Sequence, residues 1–314
     1  MSNQGYLEQP DFHVKAPWRS ALLTYPPNLK AALKEAQADP AKTLFGVGHG
    51  IPSPFVTKVI ASAKPDFVWI DAEHAMFDCL ALHDAIHAAH HHSEGKTMAI
   101  VRVPKHDEVS LTTALDAGAA GIIIPCCESA EEVKKAVQEI YYPPIGRRSF
   151  SPWAFVPGVS DASLYEDDPF NMQTSNRHIA LIAQIESVEG VENADEIASV
   201  EGVSALMFGP GDFSADAGIP IKLGGTPHPT LMAAMGKFAA AGQKHGLPLL
   251  GGAMSPEMLP LMIEQGYRLI SMTMDTWGLA HLIQGSMKQG REAAQSVGKP
   301  HSQEQNGNIQ SGSE

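Results

Sequence analysis

The stretch FVWIDAEH, residues 67–74, runs from four residues suited to a buried strand straight into Asp71, Glu73 and His74. Unpaired buried charge is expensive, so a core strand that ends in three titratable groups needs a reason. Similar endings recur. IVRVP carries Arg102, QIES carries Gln184 and Glu186, FGPGD carries Gly211 and Asp212, and Asp275 follows the last apolar run. Glu186 and Asp212 offer carboxylate oxygens, which suit a hard divalent cation such as Mg²⁺ or Mn²⁺ with positions left open for water and substrate. No Cys/His cluster of zinc spacing lies beside them. Arg102 would present a fixed fork of donors to a bound oxyanion. His74 reads as the one imidazole at the end of an interior strand, and Asp71, three residues earlier, is placed to orient or charge it. The GPGD turn offers backbone amides to a carboxylate.

These residues need elements that bring them together. From residue 43 the chain alternates between apolar runs and helical patterns. Strands are expected over 43–50, 66–73, 97–104, 121–127, 179–187, 203–212, 247–254 and 268–276. Helices are expected over 53–65, 79–95, 108–118, 129–144, 188–200, 229–246 and 255–266, with a final one after the last strand running through about residue 296, the first opened by Ser53 as a cap and by Pro54. A long loop runs through about residue 178, and a further helical stretch, 26–40, precedes the alternation. The strands are continuously apolar, as in a parallel sheet covered on both faces. Eight such units in about 250 residues indicate a (β/α)8 TIM barrel, with an open doubly wound sheet as the alternative. In a barrel, catalytic groups gather at the C-terminal ends of the strands, and each residue named above falls there. The expected organisation is an N-terminal extension with a short helix (1–40), the barrel (41–296) and a disordered tail (297–314).

Composition bounds the function. The 314 residues carry a net charge of −13, which argues against nucleic acid as the main partner. The three cysteines, Cys79, Cys126 and Cys127, form no C-x-x-C pair, and a reducing compartment is the simpler reading. The first twenty residues lack the apolar core of a signal peptide, and no stretch is apolar for long enough to span a membrane, so a cytoplasmic protein is expected. Each site residue also has a plain structural reading: Glu186 as a cap or ion-pair partner, Asp212 as a turn cap, Arg102 as an internal ion pair. His83, His87 and His91 share one helix face and read as a solvated stripe before a metal ladder. Cys126 and Cys127 read as pocket lining rather than nucleophiles, and Met254, Met258 and Met262 as core.

The segments WIDAEH, VRVP, AGAAGIIIPCCESAEE, YYPPIGRRSF, QIES and FGPGDFSADAGIP together resemble the HpcH/HpaI aldolases, metal-dependent class II pyruvate aldolases, over about residues 43–280. The resemblance implies a barrel that forms a homo-oligomer, a trimer or hexamer, exchanging its last helix between subunits. It implies a divalent metal on Glu186 and Asp212, with Mg²⁺ first and Mn²⁺ or Co²⁺ as alternatives. Pyruvate or oxaloacetate would chelate that metal. Arg102 would stabilise the enolate oxygen, His74 supported by Asp71 would move a proton, Gly211 and Asp212 would receive the carboxylate, and Gln184 would stand beside the metal. The expected activity is carbon–carbon cleavage of a 4-hydroxy-2-oxo acid, or oxaloacetate decarboxylation, through a pyruvate enolate. The runner-up is addition of that enolate to a 2-pyrone held by Arg102, Phe150 and Trp153. The alternative of another class is a barrel that only binds 2-oxo acids. The sequence departs from the bacterial aldolases in FGVGHGIPSP and in the aromatic SFSPWAF, so the pyruvate half is specified and the acceptor, an aldehyde or a pyrone, is not.

Overall fold

The computed structural model describes residues 26–154, 172–221, 226–253 and 255–297. The expected extension before residue 26, the tail from 298 and Met254 lie outside the described residues. Eight parallel strands close into a barrel in sequence order: β1 Leu44–His49, β2 Phe67–Asp71, β3 Met98–Arg102, β4 Gly121–Ile124, β5 Ala180–Ile185, β6 Val203–Phe208, β7 Leu249–Gly252 and β8 Tyr267–Met274. The helices are α1 Leu29–Ala38, α2 Pro54–Ser62, α3 Cys79–His92, α4 Glu108–Asp116, α5 Ala130–Ile140, α6 Met172–His178, α7 Val188–Glu192, α8 Ala194–Ala198, α9 Pro210–Asp216, α10 Pro229–His245, α11 Leu259–Glu264 and α12 Asp275–Val297.

Several local expectations change: the loop expected through about residue 178 ends in α6, and Met258, expected in the core, is exposed while Met262 is buried. The helix expected over 188–200 divides at Asn193, whose side chain donates to the Glu128 carbonyl at 2.8 Å. The strand expected over 203–212 stops at Phe208, because Pro210 opens α9 in its place, so Asp212 sits in a helix turn and not on a strand. Ser53 precedes α2 without a side-chain cap bond.

Alternation along the strands decides which side chains enter the barrel. Phe67 and Trp69, Met98 and Ile100, Ala180 and Ile182, and Ala205 and Met207 form one inner cluster, joined from below by Leu29 and Leu33 of α1. Val68 and Ile70, Ala99 and Val101, Leu181 and Ala183 belong to the outer cluster between strands and helices. Counting on in twos from the inner set reaches Asp71, Arg102, Gln184 and Glu186. The barrel therefore aims these four side chains inward at its C-terminal end, and all four are buried.

The described residues up to Asp275 form one compact unit, and those from Thr276 a second. The second holds α12, which has no buried residue and exposes Trp277, Leu279, Leu282, Ile283 and Met287. No helix among the described residues is long and apolar enough to cross a membrane.

Candidate active site

Arg102 and Asp71 are paired residues in the β2–β3 ladder. Arg102 donates twice to one carboxylate, from Nε to Oδ1 at 3.0 Å and from Nη2 to Oδ2 at 2.6 Å. This bidentate, charge-assisted geometry fixes the guanidinium plane, and Trp69 lies against it with 5.1 Å from Cζ to the ring centroid. Asp71 Oδ1 also accepts the amides of Glu73, at 3.2 Å, and His74, at 3.3 Å. Burial works to raise the Asp71 pKa, but the hydrogen bonds and charge of Arg102 and the two amides outweigh it and hold the carboxylate below its usual range. Burial likewise opposes the charge on Arg102, and Asp71 reverses the effect, so the guanidinium pKa is raised.

The expected support of the His74 ring by Asp71 needs correction. Asp71 bonds the backbone amide of His74 and not its ring, and the imidazole instead meets Glu73, with Nε2 3.6 Å from Oε2. The same Glu73 oxygen stands 3.2 Å from Arg102 Nε. Glu73 thus links the guanidinium to the imidazole. Its pKa is raised, first by burial and then by the charges of Glu186 and Asp71, with Arg102 and His74 opposing. The His74 side chain itself is 63% exposed.

Glu186 is gripped from the next strand ends. Cys126 donates to Oε1 from its amide at 2.8 Å and its thiol at 3.2 Å, and Gln184 Nε2 donates to Oε2. Cys126 holds a left-handed backbone, φ 50°, and Lys105 secures its carbonyl at 2.7 Å. Burial first, and the Glu186 bond second, push the Cys126 thiol up to about 12, so it is a proton donor to Glu186 rather than a nucleophile. Gly209 is required here, because any Cβ at that position would overlap the Glu186 carboxylate. Asp212 is exposed in the first turn of α9, where the amides of Gly211 and Asp212 have no intrahelical acceptor.

The donor set fits a hard cation. Asp71, Glu73 and Glu186 all act on a single guanidinium, which leaves the rim with excess negative charge. Gln184 Oε1 is buried and finds no hydrogen-bond partner among the described residues. Among the described residues no three His, Cys, Asp or Glu side chains form a closed metal cage; one or two carboxylates with open positions is the arrangement Mg²⁺ ordinarily accepts.

Other expected residues lie elsewhere. Phe150 is exposed, and Trp153 lines a cleft of about 650 Å³ beside His83 of α3 and Val109, Thr112 and Asp116 of α4, in the outer helix layer. His83 and His87 stack at 4.1 Å, and burial, then His83, lowers the His87 pKa to about 4. Asp275, expected at the mouth, is bound to a residue the sequence missed. His49 ends β1, so His74 is not the sole imidazole at a strand end. The signal was available: the alternation that turns Gly46 and Gly48 inward turns Phe45 and His49 outward, toward the helices.

A closed parallel (β/α)8 barrel with its charged groups on the C-terminal rim is an enzyme fold, and the comparisons say of what kind. Residues 51–281 match the HpcH/HpaI aldolase/citrate lyase family. A crystal structure of macrophomate synthase is 61% identical, covering 94% of this chain and 100% of its own, with a TM-score of 0.86. The citrate synthase SbnG is 28% identical, covering 85% and 99%, with a TM-score of 0.72. A 5-keto-4-deoxy-D-glucarate aldolase of Klebsiella pneumoniae is 32% identical over 74% of this chain and 83% of its own length. The protein is a lyase acting on carbon–carbon bonds. It belongs to the HpcH/HpaI aldolase/citrate lyase family, which answers the non-catalytic alternative.

Proposed function

We propose that this enzyme works through the enolate of a small 2-oxo acid, by aldol cleavage of a 4-hydroxy-2-oxo acid or by decarboxylation of oxaloacetate. The observation that carries the reading is the buried Arg102, held rigid by Asp71 beside the carboxylate of Glu186. Glu186 and Asp212 would hold a divalent cation, Mg²⁺ first and Mn²⁺ or Co²⁺ as alternatives, with Gln184 beside it. Bound there, the cation supplies Lewis-acid polarisation of the oxo acid. Asp71 occupies two of the five Arg102 donors, and those that remain face the developing oxyanion without reorganisation. The amides of Gly211 and Asp212 receive the substrate carboxylate. In cleavage, His74 takes the proton of the C4 hydroxyl, the C3–C4 bond breaks, its electron pair enters the enolate, and an aldehyde leaves. Decarboxylation releases CO₂ and asks nothing of that base.

A second reading, addition of the enolate to a 2-pyrone, is favoured by the 61% identity to a relative named a synthase; Arg102 would hold the pyrone from the barrel mouth, and Phe150 and Trp153, which stand in the outer helix layer of their own barrel, would have to reach it from a neighbouring subunit. The apolar residues exposed along α12 support a homo-oligomer in either case. The test is oxaloacetate consumption before and after EDTA, with Mg²⁺, Mn²⁺ or Co²⁺ restored one at a time, followed by pyruvate with a panel of aldehydes and 2-pyrones. Turnover indifferent to EDTA would overturn the metal-enolate reading.

A further inference from the structure

His49 is fully buried on the outer side of β1, so it cannot touch a substrate in the barrel mouth. Both ring nitrogens are nonetheless engaged. Nδ1 lies 2.7 Å from Asp275 Oδ2, and Nε2 lies 2.8 Å from the Thr57 hydroxyl in α2. A carboxylate only accepts, so Nδ1 carries the proton of the first bond. Asp275 also accepts the amides of Gly50 and Ile51, each at 3.0 Å. The network ties the end of β8 to the end of β1, the loop after it and α2. A buried polar network with every member satisfied is rigid.

Its third side faces the proton carrier. The His49 ring stands edge-on to Phe77, with centroids 5.3 Å apart and planes at 72°. Phe77 is buried three residues beyond His74, and its amide closes a turn onto the Ala75 carbonyl at 2.9 Å. The segment carrying His74 therefore has two anchors: Asp71, which takes the amides of Glu73 and His74, and Phe77, seated against His49. Among the described residues, the ion-pair partner of the His74 ring is Glu73, at the long distance of 3.6 Å. Where the imidazole stands is thus decided by the segment and not by the ring's own contacts.

We infer that His49, braced by Asp275 and Thr57, is a positioning residue for His74, acting through Phe77. The inference rests on the reading of His74 as the base of aldol cleavage. A displacement of about 1 Å at a reacting group can cost on the order of a hundredfold, whereas loosening short of that costs less. The variants to make in the full chain are Thr57→Val and Phe77→Leu, which leave the His49–Asp275 pair in place and keep the fold, with Asp275→Asn as the stronger perturbation. For each, kcat and KM are measured with oxaloacetate and with 4-hydroxy-2-oxopentanoate at fixed Mg²⁺. The expected result is a fall of about tenfold in cleavage kcat, with KM and oxaloacetate decarboxylation within about twofold. The double variant Thr57→Val/Phe77→Leu should be no worse than the worse single one, because both act through one contact chain. A purely structural network would lower both reactions together, and that result overturns the inference. His74→Ala in the same assay separates the two failures. If it leaves the ratio of the reactions unmoved, the reading of His74 falls, and this inference with it. If it moves the ratio and Thr57→Val and Phe77→Leu do not, only the positioning role falls.

Discussion

Asp71→Asn isolates the role of the carboxylate that holds Arg102. The substitution keeps the shape and one carbonyl acceptor, and removes the charge from a pair in which both residues are buried. Removing one partner of a buried ion pair costs about 3–5 kcal/mol. Glu73 Oε2, 3.2 Å from Arg102 Nε, still compensates part of the guanidinium charge. The expected loss of stability is therefore about 2–3 kcal/mol, below the full range. Urea unfolding followed by tryptophan fluorescence reads it, with Trp69 reporting from beside the guanidinium. The pH dependence follows from the directions of the shifts. Asp71 and Asp275 have folded pKa values below their unfolded ones, so the stability they contribute is complete above about pH 4 and is lost as pH falls through the folded values. Glu73 runs the other way: its pKa is raised, so its contribution is present below about pH 4.3 and is lost as pH rises through the folded value. Asp71→Asn should flatten the acid side of the stability profile. It should also lower kcat/KM by about tenfold or more, since Arg102 is freed to turn. A change below about 0.5 kcal/mol, the size expected of an ordinary surface substitution, with unaltered turnover would refute the account of Arg102.

Further expectations concern the rest of the rim. Glu186→Gln and Asp212→Asn should each weaken Mg²⁺ affinity and turnover by at least about tenfold, Asp212→Asn with little loss of fold and Glu186→Gln at some cost in stability because its NH₂ would face donors of Cys126 or Gln184, read by metal titration, rate and urea unfolding; near wild-type metal affinity and rate in either would remove that residue from the metal site. His74→Ala should depress cleavage of a 4-hydroxy-2-oxo acid by about 10²-fold or more and oxaloacetate decarboxylation much less, and equal losses would contradict its role as base. Trp153→Ala should change the ranking of aldehyde and pyrone acceptors more than it changes oxaloacetate turnover. An unchanged ranking, with dissociation into monomers on gel filtration, would assign Trp153 to a subunit interface instead.

How much of this was legible in the sequence depends on the range of the interaction. The eight units announce themselves locally, because a strand covered on both faces must be apolar throughout, as Phe67–Ile70 and Ala180–Ile185 are. The rim residues announce themselves because charge at such a strand's end is out of place. The partner of each charge is another matter. Asp71 lies near His74 along the chain, and a short spacing invites that pairing. The decisive neighbour is Arg102, placed opposite Asp71 by the β2–β3 register, a relation between two strands that neither strand states alone.

The same limit explains the two largest omissions. Cys126 reads as pocket lining until the β4–β5 junction shows its amide and thiol on Glu186, 60 positions away. His49 reads as one more residue of the first strand until the barrel closes, because Asp275 lies 226 positions further on. The β1–β8 register that brings them together shifts between Gly46 and Val47. A slip of one residue in a strand exchanges its two faces. Without that shift, the position of Asp275 relative to the outward face of β1 cannot be counted from the strand sequences. Arg102, Gln184 and Glu186 lie at or just past strand ends with the parity that faces the barrel interior, and a sequence can reveal that. Residues that hold them in place are chosen by closure of the barrel, which only the folded chain expresses.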